Sequence, residues 1–164
     1  MTNKAAPAIR RVAVIGGNRI PFARSNSAYS YASNQEMLTA ALNGLVNRFN
    51  LQGERIGELI AGAVIKHSRD FNLARESLLS TSLDPHSPAT DIQQACGTGL
   101  QAIIMAANKI ALGQIDSAIA GGSDTTSDAP IGVNEGLRKI LLDINRAKTT
   151  AERLKLLTKL RPKH

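Results

Sequence analysis

The chain has one cysteine, no tryptophan, two tyrosines and three phenylalanines in 164 residues. A lone cysteine excludes an intramolecular disulfide and favours a reducing compartment. With aromatics at 3%, the core has to be aliphatic and rich in alanine and glycine, which suits close packing of helices on a sheet. No apolar run approaches the roughly 18–20 residues that span a bilayer, so no transmembrane segment is expected. Met1 to Arg11 lacks the apolar stretch of a secretory signal, and its length leaves room for a short transit peptide. A cytoplasmic location of bacterial type is expected, with a mitochondrial one left open. The Gly16-Gly17 pair is not part of a G-x-G-x-x-G fingerprint, which excludes a dinucleotide site. No group of His, Cys, Asp and Glu has metal-ligand spacing, so no metal is expected.

What is present is a globular composition, 43% apolar and 20% charged. The net charge of +7 sits entirely in the tail. Met1 to Leu137 carries 11 Lys/Arg against 11 Asp/Glu, and Arg138 to His164 carries 9 against 2. A solvated helix face accounts for such a tail. Nucleic-acid binding lacks both an aromatic platform and a motif here, so no nucleic-acid partner is expected.

Arg11 to Gly17 (RVAVIGG) reads as a buried strand. Ser33 and Glu36 form an S-x-x-E capping box, and a helix should follow to about Arg48 with Met37, Ala40, Ala41, Leu45 and Val46 inward. Leu59 to Ile65 reads as a second strand. Asn72 to Ser82 reads as a second helix with Leu73, Leu78 and Leu79 inward. Ala89 to Ala95 reads as a third strand, and a third helix runs from Leu100 to about Leu112, with Leu100, Ile103, Ile104, Ala107 and Ile110 at helical spacing. Ser117 to Ala120, before Gly121-Gly122, reads as a fourth strand. This order predicts an α/β fold, a mostly parallel sheet with helices on both faces. Two amphipathic helices are expected beyond it, one around Leu137, Ile140, Leu141 and Ile144 and one around Leu154, Leu157 and Leu160. The domains expected are residues 1–122 and residues 123–164. The tail helices, with no sheet of their own, read as part of an incomplete module.

Cys96 falls between a strand and a helix, at the carboxyl end of a parallel sheet, where ligand crevices form. A helix start offers free N–H groups and a partial positive charge, both favourable to an anion. Gly97 and Gly99 are expected to turn the backbone tightly and to leave room beside the sulfur. A backbone N–H of the turn can act as an oxyanion donor. The pattern is that of a nucleophile elbow with cysteine in place of serine. The competing reading is a small buried residue that ends a strand, since free cysteines are often buried.

Gln94 to Ala102 (QACGTGLQA) resembles the segment around the acyl-accepting cysteine of the thiolase family, whose core is C-G-S/T-G-x-x-A/S. Arg19-Ile20-Pro21-Phe22 resembles the family's R-T/I-P-F, Asn72 to Arg75 its N-x-A-R, and Ala120-Gly121-Gly122 its A-G-G turn. All four come in order on the expected elements. Asp128 to Val133 and the basic, leucine-rich tail resemble the thiolase subunit of fatty-acid β-oxidation multienzyme complexes.

The resemblance implies an acyltransferase that acts on acyl-CoA, with Cys96 as the catalytic residue that becomes acylated and coenzyme A as substrate, with no resident cofactor. It implies a basic tail that begins a loop domain covering the CoA nucleotide. It implies a homo-oligomer, or a partner subunit of a β-oxidation complex. Thiolases also use a histidine from a G-H-P motif and a second cysteine from a C-x-G motif. Neither motif occurs in this sequence, so the chain alone is expected to be inactive. His67, His86 and His164 match no motif, and each is expected on the solvated surface. The alternatives are a non-catalytic thiolase-like assembly or binding subunit and a β-ketoacyl synthase-like condensing enzyme. The intact Cys-Gly-Thr-Gly turn speaks against the first, and Arg19, Pro21 and Phe22 with the Gly97/Gly99 pair speak against the second.

Overall fold

The computed structural model describes residues 9–160. Its elements are α1 (Asn34–Phe49), β1 (Glu58–Gly62), α2 (Leu73–Leu79), β2 (Ala89–Asp91), α3 (Thr98–Ala111), β3 (Ala118–Gly122), α4 (Glu135–Arg146) and α5 (Thr150–Leu157). The chain divides between Ala129 and Pro130 into two compact units. Residues beyond 122 stay with the first unit because the Asp124 carboxylate accepts the N–H groups of Val64 (2.8 Å) and Ile65 (3.0 Å).

In the first unit three parallel strands lie in the order β2-β1-β3, with Leu59 opposite both Ala89 and Ile119. The central strand is buried along its whole length, as a strand covered on both faces must be. Side chains alternate across it. Leu59 and Ala61 enter a cluster with Leu38, Leu42 and Val46 of α1 and Leu73, Ala74 and Leu78 of α2. Ile60 points the other way, onto Ala102 and Ala106 of α3. The predicted α/β fold with helices on both faces is therefore the fold observed.

α1 starts where predicted. Ser33 accepts from the Glu36 N–H, and the Glu36 carboxylate returns to the Ser33 N–H at 2.8 Å. The inward face differs from the expected one. Leu38 and Leu42 are buried with Met37 and Val46, whereas Ala40 is exposed. Four-residue spacing from Asn34 through Leu38 and Leu42 to Val46 places the bulkier chains on the sheet. On α2, Leu73 and Leu78 are inward, but Leu79 is 48% exposed.

Two further expectations are corrected. Arg11–Gly17 forms no strand, and Val14 and Ile15 are 85% and 87% exposed. A strand needs another strand's free edge as well as β-branched residues, and this segment meets none among the described residues. It is held at its ends instead, by Arg10 N–H on the Ala111 carbonyl (2.9 Å) and Arg48 on the Gly17 carbonyl (3.1 Å). The strand expected over Ala89 to Ala95 stops at Asp91, because the chain then turns toward α3.

Glu58, buried at the start of β1, receives the Thr90 hydroxyl from β2 and the Lys109 ammonium from α3. Two donors offset the cost of burying its charge. In the second unit, α4 and α5 pack on each other. Asn134 caps α4 by accepting the Leu137 N–H at 2.9 Å, and Thr149 and Glu152 form a capping box for α5. None of the unit's described residues is buried. Arg161 to His164 lie outside the described residues.

Candidate active site

The site forms where β2 runs out. The Ile92 N–H still donates to the Ala61 carbonyl at 3.0 Å, so the chain follows β1 one residue past the strand before it turns. Gln94 to Gly97 make that turn, and α3 begins at Thr98. Cys96 is exposed on it, at the carboxyl end of the sheet, so the reading as a buried strand-ending residue does not hold.

The turn is built differently from the expectation. Gly97 has an ordinary right-handed conformation, φ −86°. The left-handed residue is Ala95, φ 43°, a conformation a side chain disfavours. The Thr98 hydroxyl closes the loop around it. It donates to the Ala95 carbonyl (2.8 Å) and accepts the Gln94 N–H (2.8 Å). Gly97 N–H bonds to the Gln94 carbonyl at 2.9 Å and Thr98 N–H to the Ala95 carbonyl at 3.2 Å. Gly97 and Thr98 N–H groups are thus occupied, and those of Gly99 and Leu100 in the first turn of α3 are the donors left for an anion. A Cβ on Gly99 would meet nothing within 4 Å, so the space beside the turn is open.

Glycines bring the strand ends together beneath the turn. A Cβ on Gly62 would collide with the Ile92 carbonyl, and one on Gly122 with the Gly62 carbonyl. The A-G-G stretch therefore serves close strand approach. Gly62 does the same from β1 and is not singled out by the sequence reading, although it interrupts the apolar run LIAGAVI.

The N-x-A-R stretch supports the loop that leads into β2. Arg75 donates to the carbonyls of Ser87 (2.9 Å) and Pro85 (2.8 Å), and the buried Ser87 hydroxyl accepts the Ile56 N–H at 3.1 Å. Asn72 makes no side-chain cap. Instead Asp91, at the end of β2, accepts the Ala74 N–H of α2 at 3.1 Å. Burial raises the Asp91 carboxyl above its ordinary range, against the opposing pull of the Ala74 N–H and Lys66.

Cys96 opens on a crevice of about 1010 Å³, lined by Ile20, Phe22, Met37, Val64 and Thr125 among others. The R-I-P-F stretch thus lies along the same crevice as the cysteine. Its loop is tied to the one after β3 by Thr126 on Ser25 (2.9 Å) and by Asn26 N–H on the Ser127 hydroxyl (2.8 Å).

The histidines divide. His86 is on the solvated surface, beside Asp84 at 2.8 Å, as expected. His67 is not, with its side chain 23% exposed and Nε2 2.9 Å from the Asp128 carbonyl. A 3-10 turn at Ser68–Asp70 folds it against that loop. Neither histidine lines the crevice, and His164 lies outside the described residues. Among the described residues no group of three or more His, Cys, Asp and Glu is placed to hold a metal ion, and no helix is long and apolar enough to cross a membrane.

A parallel sheet between helix layers, with a cysteine at a strand–turn–helix junction on its carboxyl side, defines an α/β protein of the three-layer class. The family model for the thiolase N-terminal domain matches residues 12–159, and the chain belongs to the thiolase family. The rat mitochondrial trifunctional enzyme subunit beta is 39% identical over 157 residues, covering 96% of this chain and 33% of that protein. A 3-ketoacyl-CoA thiolase of Citrobacter koseri is 37% identical over 151 residues, covering 92% of this chain and 35% of that protein. The acetyl-CoA acetyltransferase of Bacillus anthracis superposes with a TM-score of 0.73 at 26% identity, over 79% of this chain and 33% of that one. The chain spans about a third of the length of the curated relatives it matches.

Proposed function

We propose that this chain supplies the acyl-accepting part of a thiolase of fatty-acid metabolism, with Cys96 as the nucleophile. The supporting observation is the position of the chain's one cysteine, exposed at the head of α3 on a crevice of about 1010 Å³. In thiolysis the Cys96 thiolate attacks the C3 carbonyl of a 3-ketoacyl-CoA. The C2–C3 bond breaks, and its electron pair leaves on C2 of the acetyl-CoA fragment, which takes up a proton. The acyl group stays on Cys96 as a thioester until the thiol of coenzyme A displaces it. Gly99 and Leu100 N–H groups face the charge on the carbonyl oxygen.

Coenzyme A enters as substrate, with no resident cofactor or metal, and the basic tail accompanies its phosphates. The protein works in a reducing compartment, the cytoplasm in a bacterial cell. The outer face of α3, with Leu100, Ile103 and Ile104 exposed, supports work against a partner. That partner is a second copy or a subunit of a β-oxidation complex.

The proton steps need the histidine of a G-H-P motif and a second cysteine, neither of which occurs in this sequence, so slow acylation of Cys96 without turnover is expected of this chain alone. Intact-mass analysis after incubation with acetoacetyl-CoA should show one acyl group, absent in Cys96→Ala. A CoA-dependent thiolysis assay should show no turnover. Turnover that disappears in Cys96→Ala would overturn the expected inactivity, and an unmodified Cys96 would overturn its role.

A further inference from the structure

We propose that Thr98 is the positioning residue of this site, its hydroxyl clamping a strained Ala95 so that Cys96 stays at the head of α3. The inference rests on the reading of Cys96 as the acyl acceptor. Three observations carry it. Ala95, immediately before the cysteine, is one of only three non-glycine residues with positive φ among the described residues. Such a conformation persists only where its surroundings impose it. Thr98 is 6% exposed, and its hydroxyl both donates and accepts inside the turn, to the Ala95 carbonyl and from the Gln94 N–H. These two bonds bracket the strained residue.

The clamp also has a fixed base. Thr98 is the first residue of α3 and lies against the sheet, where its methyl group meets the space beside Gly62. The hydroxyl therefore cannot follow a relaxing loop. Without it, Ala95 returns to a common backbone region, and the peptide after it rotates. Cys96 then leaves the first-turn N–H groups of Gly99 and Leu100. The Thr98 hydroxyl is committed to the backbone of Gln94 and Ala95, so it acts through the turn.

The test compares rates of Cys96 modification, by iodoacetamide and by acetyl-CoA, followed by intact mass in the full chain. Thr98→Val keeps the shape and loses both bonds. It should slow both reactions about tenfold, within the range that misplacement of a reacting group costs. Thr98→Ser keeps the hydroxyl and should react within about twofold of the parent. Glycine adopts positive φ without strain, so Ala95→Gly should recover most of the rate in the Thr98→Val background. Parent-like rates in T98V, T98V-like rates in T98S, or no recovery in the A95G/T98V pair would each overturn the proposal. Should T98V fail to fold by circular dichroism, A95G/T98V against A95G decides, with a loss as large as tenfold counting against it. Failure of acetyl-CoA to label the parent, with alkylation intact, would sink the acyl-acceptor reading and leave the clamp still measurable by alkylation.

Discussion

The two faces of the sheet are packed on opposite plans. On the α1/α2 face, large aliphatic chains interlock. Leu59, Leu73, Leu78 and Val46 are all at or below 1% exposure. On the α3 face, alanines meet the sheet, and the large chains Leu100, Ile103 and Ile104 point away at 64%, 47% and 42% exposure. The first plan seals an interior and carries the stability of the unit. The second brings α3 close to β1, which sets the height of the Cys96 turn, and leaves the apolar outer stripe to something else. An exposed stripe of this kind marks an interface or an aggregation site.

The sharpest way to break this comparison is truncation on each face. Leu78→Ala should cost about 2–5 kcal/mol, read as a lowered urea midpoint. Ile103→Ser, on the outer stripe of α3, should stay within about 0.5 kcal/mol. A large loss at Ile103 would mean that the stripe is covered, by a second copy of the chain or otherwise. A smaller effect should come from the start of α1. Ser33→Ala removes the cap that accepts the Glu36 N–H and should cost about 1 kcal/mol in the same measurement.

The smallest effect expected is at Asp91, and it depends on pH. Burial raises its carboxyl in the fold, so the native state holds the proton more tightly than the unfolded chain. The ionised form therefore costs stability, and that cost is relieved as pH falls through the raised folded-state range toward that of an ordinary aspartate. Asp91→Asn should gain on the parent at neutral pH and lose that advantage in acid. A difference that stays constant with pH would assign no linkage to Asp91.

The same contrast explains how far the sequence could be read. Periodicity located α1, α2, α3 and both tail helices, because capping residues and apolar repeats are local signals. Cys-Gly-Thr-Gly located the turn. Which side of a helix faces the sheet was harder. Counting apolar residues puts Leu79 inward and picks the stripe of Leu100, Ile103 and Ile104 on α3, whereas Leu79 and that stripe are exposed and Ala102 and Ala106 meet the sheet, because close approach rewards the smaller residue. Arg11–Gly17 shows the second limit. Its composition is that of a strand, but a strand is a relation between two segments. The left-handed Ala95 shows the third. Glycine is the residue that suits such a backbone, so the sequence points to Gly97 and Gly99, and the Thr98 hydroxyl that holds the turn carries no local signal of its own.

The buried Glu58 at the far end of the sheet has a mechanical consequence. It grips α3 through Lys109 near the helix's last turn and grips β2 through Thr90. β2 in turn runs into the Cys96 loop, so both arms that carry the cysteine are anchored at one carboxylate. From Lys109 to Thr98 the helix is a lever roughly 16 Å long. A tilt of about 3–4° at the anchor would move its tip by about 1 Å, the scale on which misplacement becomes costly to reaction. Glu58 and Lys109 thus set an angular tolerance for a site they do not touch.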